Sequence, residues 1–191
     1  TKLLLTPVNP CPLPLNVPPE AWNPARPVTT PIASTFATSS YVNLPATVMS
    51  PEILTELKLL PGTLVRNKNL KYICKDINLK VNKNSRFTNL YNNNEVIRIP
   101  IAHAEGNYYT DKKTLKKLKD NDQIIFSYCN ENGDITKESN PNGSLLNIAG
   151  ITNKKGNVIG LMPHPERVSE KVFNNTDGIK FFKSVVNYHN Y

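Results

Sequence analysis

The stretch "NVIGLMPHPER" (Asn157 to Arg167) runs from an apolar segment into a histidine and a carboxylate set among prolines. "VIGLM" reads as a buried strand. The prolines at 163 and 165 favour extended backbone beyond it, and residues two apart in extended chain point the same way. His164 and Glu166 are therefore expected to face one cleft past the carboxyl end of a strand, where open α/β sheets hold their ligands. The imidazole can act as general base and then general acid, with the carboxylate fixing its tautomer. The pattern alone is cheap, because His103 and Glu105 repeat it in "IPIAHAEGNYY". His189, close to the last residue, reads as surface.

Working outward, regular signals fill the chain from Ile53. "ILTELKLL" has helical spacing at 53, 54, 57 and 60, with "PG" to stop it. "LKYICKDINLKV" puts Ile77, Leu79 and Val81 on one side of a strand, opposite Cys74, Asp76 and Asn78, with room for a bulge. "EVIRIPIAH" is a second strand, and Pro100 argues for an edge or a bend. "YTDKKTLKKLKD" is a helix capped by Thr110 or Asp111, giving Leu115 and Leu118 to a core and its lysines to solvent. "QIIFSYC", the turn "NENG" and "DITKE" predict a hairpin; "NIAGIT", "NKKGN" and "VIGLM" predict another. "TDGIKFFKSVVNYHN" predicts a closing helix with Ile179, Phe182 and Val186 on one face, joined by Phe181 and Val185. Strands with flanking helices define an α/β layer architecture.

The first 51 residues have another texture. They hold 11 of the 16 prolines, only three charged residues (Lys2, Glu20, Arg26) and no glycine. Such a composition favours extended, poorly packed chain. Two domains are expected: an atypical Pro-rich segment over 1–52 and an α/β portion over 53–191. The absence of an initiating Met suggests a fragment, and the opening residues carry no export signal. No apolar run is long enough for a membrane span. Cys11, Cys74 and Cys129 have no metal-ligand spacing, and their odd number argues for a reducing, cytoplasmic setting rather than a disulfide framework. The formal charge is +8, but the lysines are scattered among asparagines with no aromatic-basic platform. That argues against a nucleic-acid partner.

Longer words carry a resemblance. "GNVIGLMPHPER" followed by "TDG", "LLPGTLVRNKNLKYICKDINLKV", "VIRIPIAHAEGNYY", "YCNENGDIT" and "NPNGSLLNIAGI" occur in the same order in the class I glutaminase domain of phosphoribosylformylglycinamidine synthase. Over residues 53 to 185 the chain resembles the C-terminal part of that domain. The resemblance implies an incomplete glutaminase-like open sheet with flanking helices. It also implies a Cys-His-Glu triad that hydrolyses glutamine to supply ammonia for purine biosynthesis. His164 and Glu166 stand at the triad's His and Glu. A synthetase partner would hold ATP and magnesium, leaving no cofactor in this chain. The loops "NPNGS" and "AHAEGNY" are expected near the cleft or the partner interface.

The nucleophile is missing from its place. The family has G-x-C-N-G-F-Q just before "ILTE"; here the residues are "ATVMSPE" (Ala46 to Glu52), with Val48 at the Cys position. Ser50 lies two places late, no glycine surrounds it, and Pro51 removes a backbone donor. None of the three cysteines has an elbow context. Three expectations result. The chain is a glutaminase by descent without turnover, or a non-catalytic partner-binding remnant, or, less favoured, a basic nucleic-acid-binding protein. Residues 1 to about 52 read as foreign or out-of-frame sequence joined to a genuine C-terminal portion. A sheet short of its N-terminal strands is expected to be poorly soluble or to depend on a partner.

Overall fold

The computed structural model describes residues 47–48 and 51–188, and the Pro-rich segment of the sequence analysis lies outside them up to residue 46. The described residues run, in chain order, through β1 (Thr47–Val48), α1 (Pro51–Glu56), β2 (Thr63–Val65), β3 (Ile73–Val81), β4 (Val96–His103) and β5 (Asn107–Tyr109). They continue through α2 (Lys112–Asp120), β6 (Ile124–Cys129), β7 (Ile148–Thr152), β8 (Val158–Leu161) and α3 (Ile179–Tyr188). One sheet has the order β1-β8-β7-β6-β3-β4, and β2 pairs with β5 in a small ribbon. Among the described residues only β1 and β8 pair in parallel; the other ladders are antiparallel.

The sheet separates two apolar clusters. Ile77, Leu79 and Val81 of β3 and Ile97, Ile99 and Ile101 of β4 pack with Phe87 and with Phe181 of α3. Leu54 of α1 and Leu118 of α2 pack with Ile148, Ile151 and Val158. Successive residues of β8 serve different clusters, Val158 one and Ile159 the other. This is the period-two alternation of a sheet covered on both faces.

Local chemistry explains several elements. Asp111 caps α2, its Oδ1 accepting from the backbone N–H of Lys113 and Thr114 at 2.8 and 3.0 Å. Pro51 opens α1, where a missing N–H costs no helical bond. α1 stops before the expected "PG": Lys58 turns left-handed (φ 59), and the N–H of Leu60 bonds back to Leu54 O at 3.1 Å. Leu60 is buried by this stop rather than by further helix.

β4 is the sheet's edge, as Pro100 suggested. Beside it, Arg98 donates its N–H to Asp177 Oδ2 at 2.8 Å, and Asn175 Nδ2 donates to Arg98 O at 2.7 Å. These side chains stand in for a neighbouring strand and blunt the edge. The β3–β4 register is continuous from Ile73 to Lys80, so the irregularity allowed for in β3 is absent; the register shifts lie between β6 and β7.

Two expectations are corrected. "DITKE" forms no strand. The turn is real, with Asn130 Oδ1 accepting from the N–H of Asn132 and Asp134 at 3.0 and 2.8 Å. But β6 already lies between β7 and β3 and has no free edge for a hairpin partner. In α3 the buried residues are Phe181 and Ser184, while Phe182 and Val186 are exposed. Phe181 meets the rings of Phe87 and Phe126 at 6.1 and 6.4 Å, which rotates the helix from the expected face. None of the described helices is long and apolar enough to cross a membrane.

Candidate active site

β8 delivers His164. After Leu161 the N–H of Met162 bonds to Ala149 O, and that of His164 bonds to Pro100 O at 2.8 Å. β8 and β4 are far apart in the strand order, so the sheet curls enough for the segment after β8 to reach the opposite edge. Pro100 presents its carbonyl outward there and loses nothing by lacking an N–H. Pro165 then starts a short 3₁₀ turn, Pro165–Val168, rather than extended chain. Proline is tolerated at a first helical position, and the turn brings Glu166 back onto the ring. The N–H of Gly178 bonds to Val168 O at 2.9 Å, and its missing side chain lets the "TDG" segment close on the backbone of Pro165.

His164 Nδ1 lies 2.7 Å from Glu166 Oε1. A carboxylate only accepts, so Nδ1 carries the proton and Nε2 keeps a lone pair for base chemistry. Burial, the largest single influence, pushes the Glu166 pKa up, but the hydrogen bond from His164, a backbone hydrogen bond and the charges of His164 and Arg167 together hold the carboxyl below its usual range. The pair borders a cleft of about 390 Å³ whose wall also includes Pro51, Glu52 and His103. A larger hollow of about 970 Å³, bordered by Lys68, Lys137 and Asn147, contains no histidine, thiol or carboxylate. Chemistry, not size, selects the smaller cleft.

Val48 ends β1, opposite Ile159 of β8 in parallel register, and α1 begins three residues later. A strand followed by a helix beside β8 is the element order in which a nucleophile elbow is built. Gly160 makes room for it, since a side chain there would press on Pro51 and Leu60. Among the described residues bordering the cleft there is no cysteine. Cys129 is buried, and burial pushes its thiol up to about 11, far from a thiolate at neutral pH. Cys74 lies within β3, opposite Ala102. Cys11 and His189 fall outside the described residues.

The second His-x-Glu diverges. Glu105 turns outward, its Oε1 3.9 Å from Arg66 Nε, while His103 is buried with Nδ1 3.2 Å from Asn67 Oδ1. Asn67, which sequence reasoning missed, organises this corner. Its Nδ2 donates to Lys71 O and His103 O at 2.8 and 2.9 Å, and its Oδ1 also accepts from Gly106 N at 3.0 Å. Behind it, Asn142 of "NPNGS" donates to Gly106 O at 2.7 Å and to the Tyr128 hydroxyl at 3.1 Å. "AHAEG" therefore contributes to the cleft wall, and "NPNGS" braces it. No short-range pattern marks Asn67, because the carbonyl and ring it serves lie 36 residues away.

A curled, two-face-covered sheet with a hydrogen-bonded His–Glu pair after a strand and a parallel strand and helix beside it defines a glutaminase-like fold. Residues 50–189 match the CobB/CobQ-like glutamine amidotransferase domain, and the chain belongs to that family. The chain is similar to the phosphoribosylformylglycinamidine synthase subunit PurQ of Acaryochloris marina, 53% identical over 71% of this chain and 58% of that protein. It is similar to the same subunit of Pyrococcus horikoshii, 54% identical over 71% and 58%, and of Aquifex aeolicus, 50% identical over 71% and 60%. A solved structure, PurLQS from Thermotoga maritima, superposes with a TM-score of 0.60 at 40% identity, covering 72% of this chain and 57% of that one. The chain thus spans about three fifths of the length of the curated relatives it matches.

Proposed function

We propose that residues 53–191 are the C-terminal portion of the glutaminase component of a cytoplasmic phosphoribosylformylglycinamidine synthase, joined to a segment of other origin over 1–52, and that the chain as it stands does not turn over glutamine. One observation carries this reading: the His164–Glu166 pair is assembled at 2.7 Å, yet the adjacent strand ends in Val48 rather than a thiol. His164 Nε2 is the base, Glu166 orients it, and no atom of valine can attack a carbonyl carbon. The substrate is glutamine. The partner is the synthetase subunit that consumes the ammonia, with ATP and magnesium bound there. The likeness to PurQ subunits and to the PurLQS assembly supports both assignments.

The test restores the family word. The replacement Ala46→Gly, Val48→Cys, Met49→Asn, Ser50→Gly, Pro51→Phe and Glu52→Gln rebuilds the turn. In that variant His164 takes the thiol proton, sulfur attacks the carboxamide carbon, and the proton leaves with ammonia. Water then cleaves the thioester to glutamate. The expected result is no glutamine hydrolysis by the unmodified chain and slow hydrolysis by the variant, abolished by His164→Ala. Hydrolysis by the unmodified chain that depends on His164 but on no cysteine refutes the proposal.

A further inference from the structure

The fold gathers cations that the sequence scatters. Four separate segments enclose an open hollow of about 430 Å³. Lys83 and Arg86 border it from the loop after β3, Lys154 and Lys155 from the turn between β7 and β8, Asp122 from the end of α2 and Tyr188 from the end of α3. Its volume lies within the range of small-molecule sites, about 300–1,000 Å³. The turn precedes β8 and His164 follows it, so the hollow and the His–Glu pair lie at opposite ends of that strand.

Four cationic side chains border the hollow, and one carboxylate opposes them. Asp122 Oδ2 lies 3.7 Å from Lys83 Nζ, with both side chains open to water, so this pair is weak. The C-terminal end of α2 adds about half a negative charge beside Asp122. Among the described residues neither Lys154 nor Lys155 forms an ion pair. The Arg86 guanidinium sits over the Tyr188 ring, 4.5 Å from its centroid. The balance among the described residues stays positive.

Both basic segments are fixed by their own hydrogen bonds. Thr88 Oγ1 donates to Lys83 O at 2.7 Å, and the Thr88 N–H donates to Ser85 O at 3.0 Å. Phe87 and Thr88 are fully buried, which anchors the loop that carries Lys83 and Arg86. Across the hollow, Asn153 Oδ1 accepts from the N–H of Asn157 and Val158 at 3.0 and 3.2 Å. Gly156, left-handed at φ 66, returns its N–H to Asn153 O at 2.9 Å and closes the bend. A lysine face on a helix spreads its charge into solvent; here two braced loops, distant in sequence, face one concavity. Holding the cations' backbone in place beforehand lowers the entropy lost when a ligand binds.

We propose that this hollow binds a phosphate chain of two or more phosphoryl groups, free as a polyphosphate or carried by a nucleotide. A single carboxylate balances one of the cations. A phosphate chain carries several charges and acceptor oxygens and can meet both basic loops at once, with lysine acting as a point charge. Asn84 and Ser85 add neutral hydrogen-bonding groups to the wall. The site does not depend on the chemistry of the His164 cleft.

The test is ¹H–¹⁵N NMR of the full chain, titrated with sodium tripolyphosphate or with metal-free ATP at constant, low ionic strength. The expected result is saturable shifts at the amides of Ser85, Arg86, Lys155 and Gly156. Saturation by both probes assigns recognition to the phosphate chain itself, and saturation by ATP alone assigns it to a nucleotide. The double variant Lys154→Gln, Lys155→Gln should weaken binding about 10-fold, about threefold for each exposed lysine. Lys112→Gln with Lys113→Gln removes the same charge at the other end of α2 and should change binding less than about twofold, because salt screens charges beyond about 10 Å. Three results overturn the proposal. Shifts that grow without saturating, or that sodium sulfate reproduces at equal ionic strength, reduce it to general screening. Equal weakening by the two double variants reduces it to net charge. Saturation of the same amides by an oligothymidylate at lower phosphate concentration gives the face to nucleic acid instead.

Discussion

Asn67→Ala is the substitution whose effect the structure defines best. Asn67 is fully buried and makes four hydrogen bonds, donating to Lys71 O and His103 O and accepting from His103 Nδ1 and Gly106 N. Alanine removes all four and leaves two donors and two carbonyls facing a void. At a net value of about 1 kcal/mol per bond, with some partners recovering water and others stranded, the expected loss is about 3–5 kcal/mol. That is a large part of the roughly 5–15 kcal/mol available to a typical domain. Urea unfolding followed by circular dichroism at pH 7 measures it. Asn67→Asp adds a sign. The carboxylate would sit buried against two carbonyl oxygens, so its folded pKa rises above the ordinary value of about 3.9. A group with a raised folded pKa is least damaging below its unfolded pKa, and stability falls as pH rises through the folded one. The Asp variant should therefore approach the parent near pH 4 and weaken toward pH 7. An Asn67→Ala loss under about 1 kcal/mol, or an Asp variant whose deficit does not change with pH, refutes the idea that this amide organises the cleft corner.

Two further measurements probe other elements. Phe181→Ala should destabilise by about 3–5 kcal/mol and Phe182→Ala by less than about 1, because Phe181 is buried among aromatic rings and Phe182 lies on the surface; chemical denaturation of both variants compares the two faces of α3. His103 makes stability pH-dependent in the opposite sense to Asn67→Asp. Its folded pKa of about 4 lies below the ordinary value near 6.5, so its contribution is complete above about pH 6.5 and is lost as pH falls toward 4. The loss is about 3 kcal/mol at most, and a His103→Gln variant should lack that part of the slope in unfolding measured from pH 7 to pH 4.

Elements governed by near neighbours were legible in the sequence. The cap of α2 needs only Asp111 and the N–H groups two and three residues on. The β7–β8 hairpin needs a glycine turn between apolar runs, and the edge position of β4 follows from Pro100. The pair at His164 and Glu166 was legible because both residues lie on one short segment. The hairpin expected of β6 with "DITKE" was misread because a sheet strand has only two edges, and β6 gives them to β3 and β7. The face of α3 was misread because two adjacent phenylalanines offer equal hydrophobicity, and the rings at 87 and 126 choose between them.

The two His-x-Glu words separate the kinds of information. In sequence they are equivalent. Tertiary structure turns Glu166 onto its histidine through a 3₁₀ turn and turns Glu105 out to solvent. It buries His103 under Asn67 and closes it on Gly106, giving the ring a tautomer and a neutral charge state that no local pattern encodes. Composition, periodicity and turn chemistry act over a few residues, so sequence determined most of the elements, the closeness of His164 to Glu166 and the absence of a thiol at position 48. Which face a helix buries, which strand is enclosed and which histidine is buried depend on contacts tens of residues apart, and folding alone decided them.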